Sequence, residues 1–173
     1  MITNKEIASM MKQAATLLEL HGENEFKTRG YSSVAFKLER MPEPIAALSA
    51  EAFDGLEGFS KTMVTHLKAI VFDSTFPLLQ SLLANTPEGV VQMLALKGLG
   101  PKKVKILWKE MEITSIAELS YACNENRLLN YKGFGEKTQS SILVAIEQLK
   151  MNKGKLLLSA AIPLATKFQE IIS

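Results

Sequence analysis

One cysteine, Cys123, stands among 173 residues, so no disulfide framework can hold this chain together. The two histidines, His21 and His66, are far apart, and no Cys/His grouping has the spacing of a structural zinc site. Aromatic residues make up only 7% of the composition. The best apolar run, residues 156–165, is interrupted by Pro163 and is too short to span a bilayer. No charged-then-apolar leader opens the sequence, and a soluble, cytoplasmic protein without a membrane partner is expected. Large net charge is missing as well: 20 Lys and Arg oppose 18 Asp and Glu, leaving +2.

What is present is a hydrophobic share of 47%, enough to bury a core and to exclude disorder. The charge is unevenly spread. Residues 1–79 carry 8 basic against 10 acidic side chains, a balance of −2, whereas residues 80–173 carry 12 against 8, a balance of +4. A polyanion should therefore prefer the second half.

The periodicity is helical throughout. Thr3 and Glu6 fit a capping box, after which Ile7, Met10, Met11, Ala14, Leu17 and Leu18 recur at helical spacing up to Gly22. Tyr31, Val34, Ala35 and Leu38 form a second apolar face closed by Pro42 and Pro44, and Met63, Val64, Leu67, Ile70 and Val71 form another. Thr86 followed by Pro87 reads as an N-cap and first helical residue, with a domain boundary at residues 83–86. Further helices start at Ser115 and Glu136. The expected fold is all-α: two small helical subdomains, residues 1–84 and 85–151, with residues 152–173 as a C-terminal helical segment.

A short pattern then repeats. Leu96-Lys97-Gly98-Leu99-Gly100-Pro101-Lys102 matches Tyr131-Lys132-Gly133-Phe134-Gly135-Glu136-Lys137 at every position class but the sixth, and Leu56-Glu57-Gly58-Phe59-Ser60-Lys61 is a weaker copy. A tight turn between two helices needs the backbone freedom of glycine, while the central apolar side chain anchors the turn. The turn leads straight into a helix N-terminus, where unpaired N–H groups and the positive dipole end meet in a place suited to a phosphate oxygen. Lysines shortly after the turn add charge. The candidate DNA contacts are thus Gly98, Leu99, Gly100, Lys102, Lys103 and Lys105, with Gly133, Phe134, Gly135 and Lys137 in the other intact copy. Such contacts read the sugar-phosphate backbone and no bases. A glycine turn can also do no more than join two packed helices, and the first copy, with Ser60 for the second glycine and Glu57 for a lysine, leans that way.

These motifs resemble helix-hairpin-helix elements. Their order and spacing, with Asn4-Lys5-Glu6-Ile7-Ala8, Leu17-Leu18-Glu19-Leu20, Phe26 and Tyr31 before them, are similar to the amino-terminal half of bacterial family X DNA polymerases, relatives of DNA polymerase beta. The resemblance implies a small lyase-like domain followed by a DNA-binding subdomain, with duplex, gapped or nicked DNA as partner, a place in repair or replication, and, in a bacterium, association with the nucleoid. It also implies that the magnesium-binding carboxylates of the palm lie beyond residue 173, so these residues carry no polymerase activity, although a longer parent protein would be a DNA-directed polymerase. Residues 156–172 resemble the helix leading into that palm.

The family lyase uses a Schiff-base lysine. Here that position is His66, which cannot form an imine, and Ser32 and Ser33 replace basic residues of the 5′-phosphate pocket. Lys27, Tyr31, Lys61 and His66 are what remains of that pocket, and a residual lyase using Lys27, Lys61 or Lys68 stays open. So does a protein-interaction scaffold whose hairpins only pack helices. No small-molecule substrate and no required cofactor are expected, apart from a monovalent cation, potassium or sodium, which the resemblance implies at the carbonyls of Leu96 and Leu99. Trp108 reads as a core residue, Cys123 as a small buried or semi-buried residue and not a nucleophile, His66 as a surface or hairpin-packing residue, and the eight methionines as core filling.

Overall fold

The computed structural model describes residues 1–152, and the expectations for residues 153–173 lie outside them. The described residues are helical, with no strand among them. They divide into two compact units, with the boundary after Leu82.

In the first unit, α1 (Asn4–Leu20) starts at the expected capping box: the Thr3 hydroxyl accepts the Glu6 N–H at 3.2 Å, and the Glu6 carboxylate accepts the Thr3 N–H at 2.8 Å. Helix α2 (Glu25–Arg40) is capped by Asn24, whose Oδ1 accepts the Phe26 N–H at 2.7 Å. The two pack together, and Ile7, Leu17, Val34 and Leu38 on them are buried. After a 3-10 turn at Ile45–Ala47 come α3 (Ala50–Asp54) and α4 (Lys61–Phe72), which place Phe53, Leu67 and Ile70 in the core. Helix α5 (Pro77–Ala84) crosses the boundary between units.

The second unit holds α6 (Glu88–Leu94), α7 (Pro101–Lys109), α8 (Ile116–Asn124), a 3-10 turn at Arg127–Asn130 and α9 (Glu136–Met151). Val90, Met93, Leu107, Leu119, Leu128 and Ile146 are among its most deeply buried residues. Gly89 permits an unusually close approach, since a Cβ there would lie 2.1 Å from the Thr114 carbonyl oxygen.

Several sequence expectations need correction. The N-cap of α6 is Pro87, in extended conformation at ψ 140°, and Thr86 is buried outside the helix. Proline has no N–H of its own to satisfy, and its carbonyl accepts the N–H groups of Val90 and Val91 at 3.0 and 3.1 Å. Five methionines fill the core, but Met1 and Met151 are exposed and Met41 is half-buried. Trp108 is half-buried, with the Lys109 ammonium 3.4 Å from its ring centre. Cys123 is buried as expected, and burial pushes its thiol up to about 11.

Candidate nucleic-acid interface

The three repeated turns share one backbone device. Gly58, Gly98 and Gly133 all adopt the left-handed conformation, at φ 77°, 91° and 93°, which glycine alone reaches without strain. The small residue two places on is an extended N-cap in every copy: Ser60, Gly100 and Gly135. A short helix precedes each turn, α3, α6 and the 3-10 turn Arg127–Asn130 respectively, and α4, α7 and α9 follow.

In the second copy Leu99 and Leu96 are buried and hold the corner from below, while the Leu99 N–H donates to the Leu96 carbonyl at 3.1 Å. Lys97, Gly98, Gly100 and Lys102 are exposed around it. The first bond of α7 runs from the Val104 N–H to the Gly100 carbonyl at 3.0 Å. Upstream of it, Gly100 offers no side chain as a cap and Pro101 has no N–H. The amides of Gly100, Lys102 and Lys103 therefore find no acceptor among the described residues. Nothing lies within 4 Å of a Cβ built on Gly98 or Gly100, so the rim is open.

The third copy repeats this. Phe134 is the buried anchor, its N–H donates to the Tyr131 carbonyl at 3.2 Å, and α9 begins with the Gln139 N–H on the Gly135 carbonyl at 3.0 Å. Gly133 and Gly135 are likewise unobstructed. One feature differs: Glu136, exposed, is the first residue of α9, so a carboxylate already stands at its positive end. Lys102, Lys105 and Lys137 are exposed and Lys103 is half-buried, and none forms an ion pair among the described residues.

The first copy is closed. Ser60 Oγ accepts the Met63 N–H at 3.3 Å, filling the place left empty at Gly100 and Gly135. Lys37, reaching across from α2, donates to the Gly58 carbonyl and lies 5.2 Å from the Phe59 ring centre. A Cβ on Gly58 would meet the Lys37 Nζ at 2.7 Å. Motif spacing does not reveal Lys37, because its partner is 21 residues away.

The four pocket residues of the first unit are only partly gathered. Tyr31 Oη and His66 Nε2 lie 3.0 Å apart, and the His66 ring rests 5.3 Å from that of Phe76. His66 is half-buried, not a surface residue, and burial holds its imidazole below the usual range while raising the Tyr31 phenol. Lys27 is turned to Glu23 at 3.3 Å, and Lys61 is exposed at the start of α4. No group of three His, Cys, Asp or Glu among the described residues could hold a metal ion, and no single helix there is long and apolar enough to cross a membrane.

Comparison with known proteins agrees with this geometry. Residues 2–75 match the family described as helix-hairpin-helix domain, and residues 90–148 match the SAM-like helix-hairpin-helix tandem. The chain is 28% identical over 169 residues to the DNA polymerase/3′-5′ exonuclease PolX of Bacillus subtilis (strain 168), a family X polymerase, along that protein's N-terminal part. The match covers 98% of this chain and 29% of the relative's length.

Proposed function

We propose that this chain, a tandem of helix-hairpin-helix domains similar to the N-terminal part of a family X DNA polymerase, binds duplex, gapped or nicked DNA through the phosphate backbone, in repair or replication. The observation that carries the reading is the open corner around Leu99. Its amides at Gly100, Lys102 and Lys103 lack acceptors among the described residues, and lysines without an ion pair surround it. A phosphate oxygen there would accept two of those N–H bonds at the positive end of α7, with Lys102 supplying charge. The third copy, anchored by Phe134 as the second is by Leu99, supports another such contact.

The corner also suits the monovalent cation inferred from the resemblance. The Leu96 carbonyl already takes one N–H, whereas the Leu99 carbonyl accepts nothing among the described residues. Sodium or potassium there would add positive charge beside the phosphate. We assign no lyase chemistry to the first unit. Lys27 and Lys68 are each committed to a carboxylate, Lys61 is solvent-exposed, and the imine position holds a histidine paired with Tyr31.

The test is a fluorescence titration of labelled duplex against the chain at several salt concentrations. Affinity should fall steeply with salt, and Lys102→Glu should weaken binding about tenfold and lower the salt slope by roughly one. Affinity insensitive to both salt and this substitution rejects the reading.

A further inference from the structure

Two adjoining hollows cross the first unit beside its closed hairpin. One, about 620 Å³, is lined by Met1, Ile2, Lys5 and Pro44 among others, and one of about 410 Å³ by Phe36, Arg40, Leu56 and Phe59. Met41 and Pro42 line both, so the hollows form one strip along the end of α2. Its walls are largely apolar, and Phe36 is 55% exposed within it.

The charges around the strip are distinctive. Lys12, Lys27, Arg29 and Lys68 of the first unit each face a carboxylate. Among the described residues, four basic side chains of that unit do not: Lys5, Lys37, Arg40 and Lys61. Three of these, Lys5, Lys37 and Arg40, line the strip. The Arg40 guanidinium lies 3.4 Å from the Phe36 ring centre. A guanidinium laid on a ring keeps its N–H edge available for a planar anion such as a carboxylate.

We propose that this strip docks a protein segment whose apolar side chains alternate with carboxylates. Apolar residues of the partner cover Met41, Pro42 and Phe59, and its carboxylates meet Arg40 and Lys5. The thioethers of Met1 and Met41 let the walls adapt to side chains of different shape. Nucleic acid fits less well, because the nearby turn has its carbonyl taken by Lys37 and its helix amide by Ser60, and the largely apolar walls offer a phosphate backbone little to pair with. The proposal is independent of DNA binding by the second unit.

A labelled peptide of about twelve residues built from Leu, Phe and Asp, titrated into the full chain, tests it. The peptide should bind saturably, and its counterpart with Lys for Asp at least about tenfold more weakly. Phe36→Ser and Arg40→Glu, both at exposed positions, should each weaken binding about fivefold or more while leaving duplex affinity unchanged. Equal binding of the two peptides overturns the proposal, as does indifference to both substitutions. Displacement of the peptide by oligothymidylate would assign the strip to single-stranded DNA instead. Self-association abolished by Phe36→Ser would assign it to a second copy, and either result also overturns the proposal.

Discussion

The first and second units use the same glycine-pivoted corner and treat their charges in opposite ways. In the first, Lys12, Lys27, Arg29 and Lys68 are matched to Glu39, Glu23, Glu25 and Asp54, Lys37 sits on the Gly58 carbonyl, and Arg40 covers Phe36. In the second, Lys97, Lys102, Lys103, Lys105, Lys132 and Lys137 have no ion pair among the described residues, although Lys150 pairs with Glu147. A positive φ at the first glycine therefore marks the shape of a hairpin and says nothing of its use. On the proposed function, what separates a binding corner from a packing corner is whether its amides and lysines are left uncommitted.

The sharpest way to break this contrast is matched charge reversal. Lys102→Glu combined with Lys137→Glu should lower duplex affinity roughly fiftyfold or more at low salt, since two phosphate contacts with their released counterions are lost and two repulsions gained. Lys27→Glu combined with Lys61→Glu makes the same change in net charge in the first unit and should cost less than about threefold. Equal losses in the two titrations would mean that overall charge, not the open corners, governs binding.

A subtler exchange swaps the caps. Gly100 is extended and its Cβ position is open, so Gly100→Ser should fit and cap α7 as Ser60 caps α4. Serine at a compatible N-cap contributes about 0.5–1 kcal/mol, counting both the cap and the reduced freedom of the unfolded chain. The same hydroxyl would occupy the Lys103 amide and remove a phosphate donor. Thermal melts should therefore rise while DNA affinity falls several-fold, to roughly a third or less. Ser60→Gly should lower stability by a similar amount, about 0.5–1 kcal/mol, and create no binding, because Lys37 and Glu57 remain.

The two units should also differ in their response to acid. Both histidines belong to the first unit, and burial holds His66 below its ordinary value of 6.5 in the folded state. The unfolded chain takes up that proton more readily, so stability is full above about pH 6.5, falls as pH drops through it, and levels off below the folded value. Protection of the α4 amides, measured as exchange relative to the intrinsic rate at each pH, should fall between about pH 7 and pH 5, and His66→Phe should flatten the difference. Trp108, the only tryptophan, reports the second unit and should not follow this titration.

The shape of the hairpin corners could be read from the chain because its signals are local. Gly98, Gly100, Gly133 and Gly135, their central apolar anchors and the following lysines all lie within short windows, and helix capping at Thr3 and Ser115 is equally local. Lys37 closing the first hairpin and Tyr31 meeting His66 are tertiary, joining residues 21 and 35 positions apart that no spacing rule connects. The strip along α2 is tertiary too, since Leu56 and Phe59 reach it from a separate turn. Pro87 departs from expectation for a different reason: a proline after a threonine suits either the cap or the first turn, and here the buried Thr86 lies outside the helix.

The smallest expected effect separates the two open corners from each other. Pro101 begins α7 without a charge, whereas Glu136 begins α9 with an exposed carboxylate beside the same kind of unpaired amides. A resident anion at a helix N-terminus stabilises the helix by about 0.3–1 kcal/mol and competes with an incoming phosphate for the same field. Glu136→Gln should therefore strengthen duplex binding about twofold to threefold in low salt and slightly lower the melting temperature. At high salt the gain should vanish, because screening removes repulsion at an exposed site. If affinity is unchanged at low salt, the third corner joins helices without touching DNA, and the corner around Leu99 binds alone.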